Sequence, residues 1–265
     1  KAKEQIRLYR QSVLASAFSG RLHQDSSDYK INRIKEKNKS GKSLNPANPQ
    51  ILVNHGSDNL PNDWKWVKLG EVIESIRYGT SKKCYYEKVG KPVLRIPNII
   101  NGYINDEDLK YSEFNKDEII ELSLIANDVL IIRSNGSISI VGKSAIVSQK
   151  HKGFLYAGYL IRIRLKTNLY NPRFLNLLLS SNQLRNQIEF KAKSTSGVNN
   201  INAQEIQAFN IPWPPLTQQT QIVEEIEKRF SEADNLEKAI DESLAKSETL
   251  RQSILKQAFE GKIVN

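Results

Sequence analysis

The sequence predicts an α+β fold: one globular domain of mixed strands and helices, plus a long C-terminal coiled-coil helix paired with a shorter N-terminal helix. Three observations carry this expectation. Four Val/Ile-rich runs, "PVLRIPNI", "DVLIIRSNG", "SISIVGKSAIV" and "GYLIRIRL", are separated by Gly and Asn turns and followed by helical patterns, without regular β-α alternation. After Pro214 and Pro215, apolar residues recur every seven positions with no further Gly or Pro until Gly261. Finally, the opening "YRQSVLASAFSGRL" (Tyr9 to Leu22) returns at the end as "LRQSILKQAFEGKIV" (Leu250 to Val264).

Taken in order, Lys1 to Ser19 is periodic in Ile6, Val13 and Ala17, with Tyr9 and Leu14 flanking, and Gly20 is placed to close the helix. Residues 1–22 form this first segment. Residues 23–59 are rich in Ser, Asn, Lys and Pro, too polar and aperiodic for a core, and read as a linker. The globular domain spans 60–216 and opens with "LPNDWKWVKLGEV". Within it, "NPRFLNLLLSS" offers Asn171 as a helix cap and Pro172 at the first helical position, and "NQLRNQIEF" follows. Residues 217–265 form the last segment, with Thr217 as its expected cap. Its seam is Ile226, Phe230, Ala233, Ile240, Leu244 and Ile254, with Leu236, Ser247, Leu250 and Ala258 in the same repeat. Roughly 45 residues at about 1.5 Å each make a rod of about 65 Å. The first helix covers only part of that length, so the remainder needs a partner helix: a missing upstream part of the same protein, or a second copy.

Composition bounds the function. The chain has 265 residues, 39% of them hydrophobic, enough for a sizeable core in one or two domains. No run of 18 apolar residues exists, so no membrane span is expected. Residue 1 is Lys rather than Met, and the edge repeat implies a module from a longer, internally duplicated chain. The single cysteine, Cys84, excludes an internal disulfide or a cysteine-rich metal site and fits a reducing cytoplasm. His23, His55 and His151 have no ligand spacing and read as scattered loop histidines.

The net charge is +10, unevenly spread. From Thr217 onward seven Lys or Arg face ten Asp or Glu, leaving 32 basic against 19 acidic residues in the rest. Asn101 to Asp128 holds eight acids and two lysines, whereas Lys143 to Lys193 holds ten basic residues against Glu189 alone. A segment so one-sided builds a positive field for phosphates, or else a solubilising surface.

Catalytic and cofactor motifs fail on spacing. "GSISIVGKS" (Gly136 to Ser144) has five residues between its glycines where a phosphate loop needs four, and no evident helix follows. "NIPWPP" lacks the spacing of the amino-methyltransferase motif, and no glycine-rich turn for a methyl donor is present. "EFK" has no nearby acid to complete a nuclease metal site; the nearest upstream is Asp128. The chain is expected to be non-catalytic, with no cofactor or metal of its own.

"LPNDWKWVKLGEV", "YGTSKK", "GKPVLRIPNIINGYINDEDLKY", "DVLIIRSNGSISIVGKSAIV", "KSTSGVNNINAQEIQAFNIPWPPLTQQTQIV" and "LRQSILKQAFEGKIV" occur in the order seen in specificity subunits of type I restriction-modification systems, which this sequence resembles over nearly its whole length outside the linker. The resemblance implies the end of a central conserved helix, a second target recognition domain and a C-terminal conserved helix; the edge repeat is then the helix terminus that the family carries twice. It further implies a subunit that reads one half of a bipartite site on double-stranded DNA. Its antiparallel helices act as a ruler and dock modification subunits, which carry S-adenosylmethionine and methylate adenine N6, while restriction subunits join for cleavage.

Phosphate contacts call for Lys, Arg and small polar donors, and base edges for Arg, Asn, Gln or Ser. The candidates are Lys82 and Lys83 after the Gly79 turn, Arg95 and Asn98 in "LRIPN", Arg133, Asn135 and Ser137 in "RSNGS", Lys143, and Lys191, Lys193, Ser194 and Thr195 in "KAKSTSG". Tyr78 is a candidate for stacking or packing on a sugar. Each has a plainer reading as a turn former or a solvated charge; Gly136 and Gly197 are expected at positive φ in tight turns. Two rival functions stay open: a freestanding half-subunit that homodimerises to read a symmetric split site, and a non-specific coiled-coil scaffold with a basic domain.

Overall fold

The computed structural model describes residues 2–22, 60–192 and 197–260; the proposed linker 23–59 and the candidates Lys193, Ser194 and Thr195 lie outside the described residues. The chain divides into two compact units, Leu14–Val223 and a helical unit of Lys1–Val13 with Glu224–Asn265. Two helices, α1 (Ala2–Phe18) and α7 (Leu216–Phe259), run through both ranges.

The globular unit is organised by a four-stranded antiparallel sheet. It comprises β2 (Ile73–Tyr78), β11 (Leu160–Leu165), β7 (Val129–Ile132) and β9 (Ser144–Ile146), in that spatial order. All four residues of β7 are buried, as expected of a strand covered on both faces. Alternation sends Leu130, Ile132 and Leu160 to one face, where they pack with Leu94, Ile104, Tyr156 and Val147. On that face, mid-sheet, sits Arg162, only 3% exposed, its guanidinium donating to the Glu121 and Ser123 carbonyls. Beside it Arg164 forms a two-point pair with buried Asp128, at 2.7 and 2.8 Å.

The smaller sheets flank this one. In the first, β10 (Leu155–Tyr156) runs parallel to β3 (Lys91–Leu94), which pairs antiparallel with β6 (Lys110–Ser112). A hairpin joins β4 (Ile99–Ile100) to β5 (Tyr103–Ile104) through Asn101 and Gly102, both at positive φ (45° and 95°), as a type I′ Asn-Gly turn demands. β1 (Lys65–Lys68) pairs with β13 (Asn210–Trp213), and β8 (Ser134–Asn135) with β12 (Asn199–Asn200). α3 (Lys116–Leu122) starts on a capping box: Asn115 accepts from the Glu118 amide, and the Glu118 carboxylate accepts from the Asn115 amide. α4 (Pro172–Leu179) is capped by Asn171, which accepts from the Arg173 and Phe174 amides, with Pro172 first as the sequence predicts. Phe174 meets Phe18 and Tyr170 edge-on at 5.1 and 5.5 Å. α5 (Asn182–Ala192) and α6 (Ala203–Gln207) complete the unit, with the short α2 (Leu69–Val72) between β1 and β2.

Three local expectations change. "SISIV" is a chain of turns rather than a strand: Ile140 donates to Ser137, Lys143 to Ile140 and Gly142 to Ile132, so the backbone closes on itself before β9. The same turns lead into a strand, the opposite of a phosphate loop. Gly197 has φ 84°, as expected, whereas Gly136 does not adopt positive φ. α7 begins at Leu216, one residue before its expected cap, Thr217.

In the helical unit the two segments run antiparallel. Lys3 pairs with Asp241 at 2.8 Å, and Arg10 with Asp234 and Glu237 at 2.5 and 3.1 Å. Ile6, Val13, Ile226 and Ala233 are buried, and Phe230 and Ile240 half-buried, as a seam requires. Ala17, also buried, belongs to the globular unit. From Asp241 to Phe259 every residue of α7 is exposed, including the seam residues Leu244 (61%) and Ile254 (49%). At about 1.5 Å per residue α7 measures roughly 66 Å.

Candidate nucleic-acid interface

The antiparallel register of the main sheet gathers distant sequence at one end. Tyr78 closes β2, Ile132 closes β7, and Leu160 opens β11, with Ile161 opposite Tyr78 and Leu160 opposite Ile132. The residues just beyond these positions therefore emerge together. The Arg133 guanidinium lies over the Tyr78 ring, 4.9 Å from its centroid, and donates to the Gly158 carbonyl at 3.4 Å. The Tyr78 hydroxyl accepts the Ala203 amide at 2.9 Å, and the Arg133 carbonyl accepts the Ile201 amide. Next to them, Asn135 faces Asn199 across the β8–β12 pair. Asn135 Oδ1 accepts the Ser137 amide, an Asx turn that orients "RSNGS", and Asn199 Nδ2 donates to the Gly136 carbonyl. The Ser137 hydroxyl shares a hydrogen bond with Ser139. The fold thus brings "YGTSKK", "RSNGS" and "GVNN" into one neighbourhood.

A second group adjoins it through β3 and β10. The Ala157 amide donates to the Leu94 carbonyl, and the Gly158 amide to the Thr80 carbonyl, tying Arg95 and the loop after β2 to the sheet end. Here the candidates separate. Asn98 is 1% exposed and fully employed: it accepts the Arg95 amide and donates to the Asn105 and Asp108 carbonyls. Such a side chain fixes a turn, so in this structure the expectation that Asn98 reads DNA gives way to a structural role. Arg95 pairs with Asp108 at 2.9 Å, and Lys82 with Glu118 at 2.7 Å. Lys83 and Lys143 are exposed and form no ion pair among the described residues, while Lys191, in the last turn of α5, lies 5.8 Å from the Phe190 ring centroid.

Ion pairing also redraws the charge distribution. The acidic stretch folds onto basic partners: Lys150–Asp106 at 3.1 Å, Arg164–Asp128 at 2.7 Å and Arg77–Glu121, besides the two pairs above. The Lys82 ammonium, with the Asn115 amide behind it, holds the Glu118 carboxyl below its ordinary range, and Lys150 does the same for Asp106. Arg162 is internal, and Arg185 binds the Val141 and Ile138 carbonyls and Glu189. Four of the ten cations of the basic segment, Lys150, Arg162, Arg164 and Arg185, are thus paired or internal.

His151 is no loosely placed loop residue. It is 2% exposed, with Nδ1 on the Ser148 hydroxyl at 3.0 Å and Nε2 3.3 Å from Asp106, and burial lowers its pKa. Burial likewise raises the pKa of the Cys84 thiol. Among the described residues no group of three or more His, Cys, Asp or Glu is placed to hold a metal, and no helix is long and apolar enough to cross a membrane.

The structure adds residues that sequence reasoning passed over. Tyr159, 62% exposed, stands at the same sheet end and accepts the Arg133 amide on its carbonyl. Tyr85, Tyr86 and Lys110 form an aromatic and cationic patch beside Arg95. "KKCYYEK", cations interleaved with aromatics, is the signal that points to the first two; Lys110 is masked by the acids around it.

A family model described as type I restriction modification DNA specificity domain matches residues 61–246, well over half of the chain. The chain belongs to this family. The match takes in the sheet end, its flanking loops and the first part of α7. The chain is 32% identical over 201 residues to the type I restriction enzyme EcoKI specificity subunit of Escherichia coli K12, covering 76% of this chain and 43% of that protein. It is 30% identical over 201 residues to the putative MjaX specificity subunit of Methanocaldococcus jannaschii, covering 76% and 46%. Against the EcoBI specificity subunit of E. coli the alignment takes in 97% of this chain at 26% identity, but 50% of that protein. This specificity domain chain thus spans about half the length of the relatives it matches. Two solved structures share its fold. One, a type I R-M system chain from work on complex assembly and conformational transition, gives a TM-score of 0.62 at 20% identity, covering 98% of this chain and 57% of its own. The HsdS subunit from Thermoanaerobacter tengcongensis gives 0.54 at 20% identity, covering 99% and 59%.

Proposed function

We propose that this chain is a non-catalytic DNA-reading half of a type I specificity subunit, recognising one half of a bipartite target on double-stranded DNA. The observation that carries the reading is the convergence of Tyr78, Arg133, Asn135, Ser137 and Asn199 at one end of the main sheet, with Lys83 and Lys143 nearby as phosphate contacts. Residues 60–216 act as the target recognition domain, 1–22 and 217–265 as conserved helical segments, and 23–59 as the linker. Lys191, in the last turn of α5, adds a donor, as do Lys193, Ser194 and Thr195.

The exposed stretch of α7 beyond Asp241 supports docking of further chains. Its occupants are the first half of the same protein or a second copy, together with methyltransferase subunits; restriction subunits complete the cleaving complex. S-adenosylmethionine is held by the methyltransferase subunits, which transfer its methyl group to adenine. The chain works in the cytoplasm, where the DNA is.

The test is to combine the whole specificity protein with its neighbouring methyltransferase subunit and S-adenosylmethionine, then map adenine methylation on genomic DNA by long-read sequencing. A split motif whose second half follows this domain when it is exchanged supports the reading. Binding without sequence preference, and no methylation, overturns it.

A further inference from the structure

We propose, on the DNA-reading assignment above, that Tyr86 is a specificity-determining residue, its ring carried at the edge of β6 into contact with base edges while Lys110 takes a flanking phosphate. The loop after β2 is anchored. The Tyr85 amide donates to the Tyr111 carbonyl at 2.9 Å, and the Tyr111 amide returns a bond to the Tyr85 carbonyl at 2.7 Å. This antiparallel bridge lies on the edge of β6 away from β3, so that Tyr86 falls opposite Lys110. The contact follows: Lys110 Nζ lies 4.6 Å from the Tyr86 ring centroid, and the Arg95 guanidinium 5.9 Å from it. Successive residues of an extended segment face opposite ways, so Tyr85 turns instead to Lys83, at 5.3 Å.

The geometry is that of a reader already set for its contact. Tyr86 is 63% exposed, yet two cations flank its ring and the backbone of its neighbour Tyr85 is paired on both sides. Tyrosine has only two side-chain torsions to fix, so ordering it on binding costs little. Its ring can pack on a thymine methyl and its hydroxyl can give or accept a bond at a base edge. Lys110 forms no ion pair among the described residues, leaving its ammonium group available to a phosphate. The patch is continuous with the sheet end through Arg95, Leu94 and Ala157.

The test uses the whole specificity protein assembled with its methyltransferase subunits. Binding is measured by competition between the cognate site and single-base variants, at several salt concentrations, and methylation motifs are mapped by long-read sequencing. Tyr86→Ala should relax one or two adjacent positions of one half-site by roughly tenfold, the effect of losing one base contact, while non-specific affinity stays within about twofold. Lys110→Ala should weaken binding to every sequence and reduce the slope of log affinity against log salt by about one, leaving the motif intact. Tyr86→Phe assigns the contact: discrimination kept places it on the ring face, discrimination lost places it on the hydroxyl. A Tyr86→Ala protein with unchanged motif and discrimination overturns the role of Tyr86 and leaves the DNA-reading assignment standing. A wild-type complex with no preference in either half-site overturns both.

Discussion

Replacing Asp128 by alanine should lower the stability of the globular unit by about 3 kcal/mol. The side chain is wholly buried and accepts three hydrogen bonds, two from the Arg164 fork at 2.7 and 2.8 Å and one from the Ile125 amide at 2.9 Å. Its loss strands a guanidinium and an N–H in the same place. Removing one partner of a buried ion pair costs about 3–5 kcal/mol. The Arg164 side chain is 23% exposed, so water relieves part of the loss and the lower end applies. At roughly 2–4 °C per kcal/mol for a domain of this size, the melting temperature should fall by about 6–12 °C. Thermal and urea denaturation of wild type, Asp128→Ala, Arg164→Met and the Asp128→Leu/Arg164→Met double variant measure this directly. The double variant leaves no unpaired charge and should recover more than half of the loss. A single variant within 1 °C of wild type, or a double variant as unstable as the sum of the singles, would refute this account of the buried pair.

Three further outcomes follow from the same geometry. Glu118→Gln keeps the capping box of α3 but frees Lys82, so non-specific DNA affinity should rise and its salt slope steepen by up to about one, read by fluorescence anisotropy across a salt series. Burial lowers the His151 pKa below 6.5, so the unfolded chain binds the extra proton first; stability should fall as pH drops below about 6.5, and His151→Gln should flatten that dependence in denaturant titrations from pH 7 to pH 5. Leu244→Ser with Ile254→Ser, both on exposed positions of α7, should abolish co-elution with the methyltransferase subunit without moving the melting transition of the globular unit.

What the sequence disclosed and what it hid divide along physical lines. α7, the Asn171-Pro172 start of α4 and the cores of β7 and β11 were legible because each depends on local signals: periodicity, a cap, a run of Val and Ile. "SISIV" carries the same composition but spends its hydrogen bonds within its own turns, which only tertiary contacts decide. Asn98 reads as a candidate because asparagine is among the side chains that reach base edges; nothing local reveals that its amide is consumed by Asn105 and Asp108. Charge misled for the same reason, since Asp106, Asp108, Glu118 and Asp128 meet their basic partners across loops and strands that the linear count cannot see. The cross-strand pairing of Tyr86 with Lys110 depends on a register set by a single bridge.

The candidate contacts stand on turns and strand ends at the rim of the unit, while the strands beneath, above all the fully buried β7, hold the core. Stability and selectivity are therefore written in separate letters. A substitution at Tyr86, Ser137 or Asn199 alters what is touched without asking the sheet to repack, and one at Leu130 does the reverse. Such a partition makes the domain evolvable: new preferences can accumulate at the rim, one residue at a time, from a scaffold that keeps folding throughout.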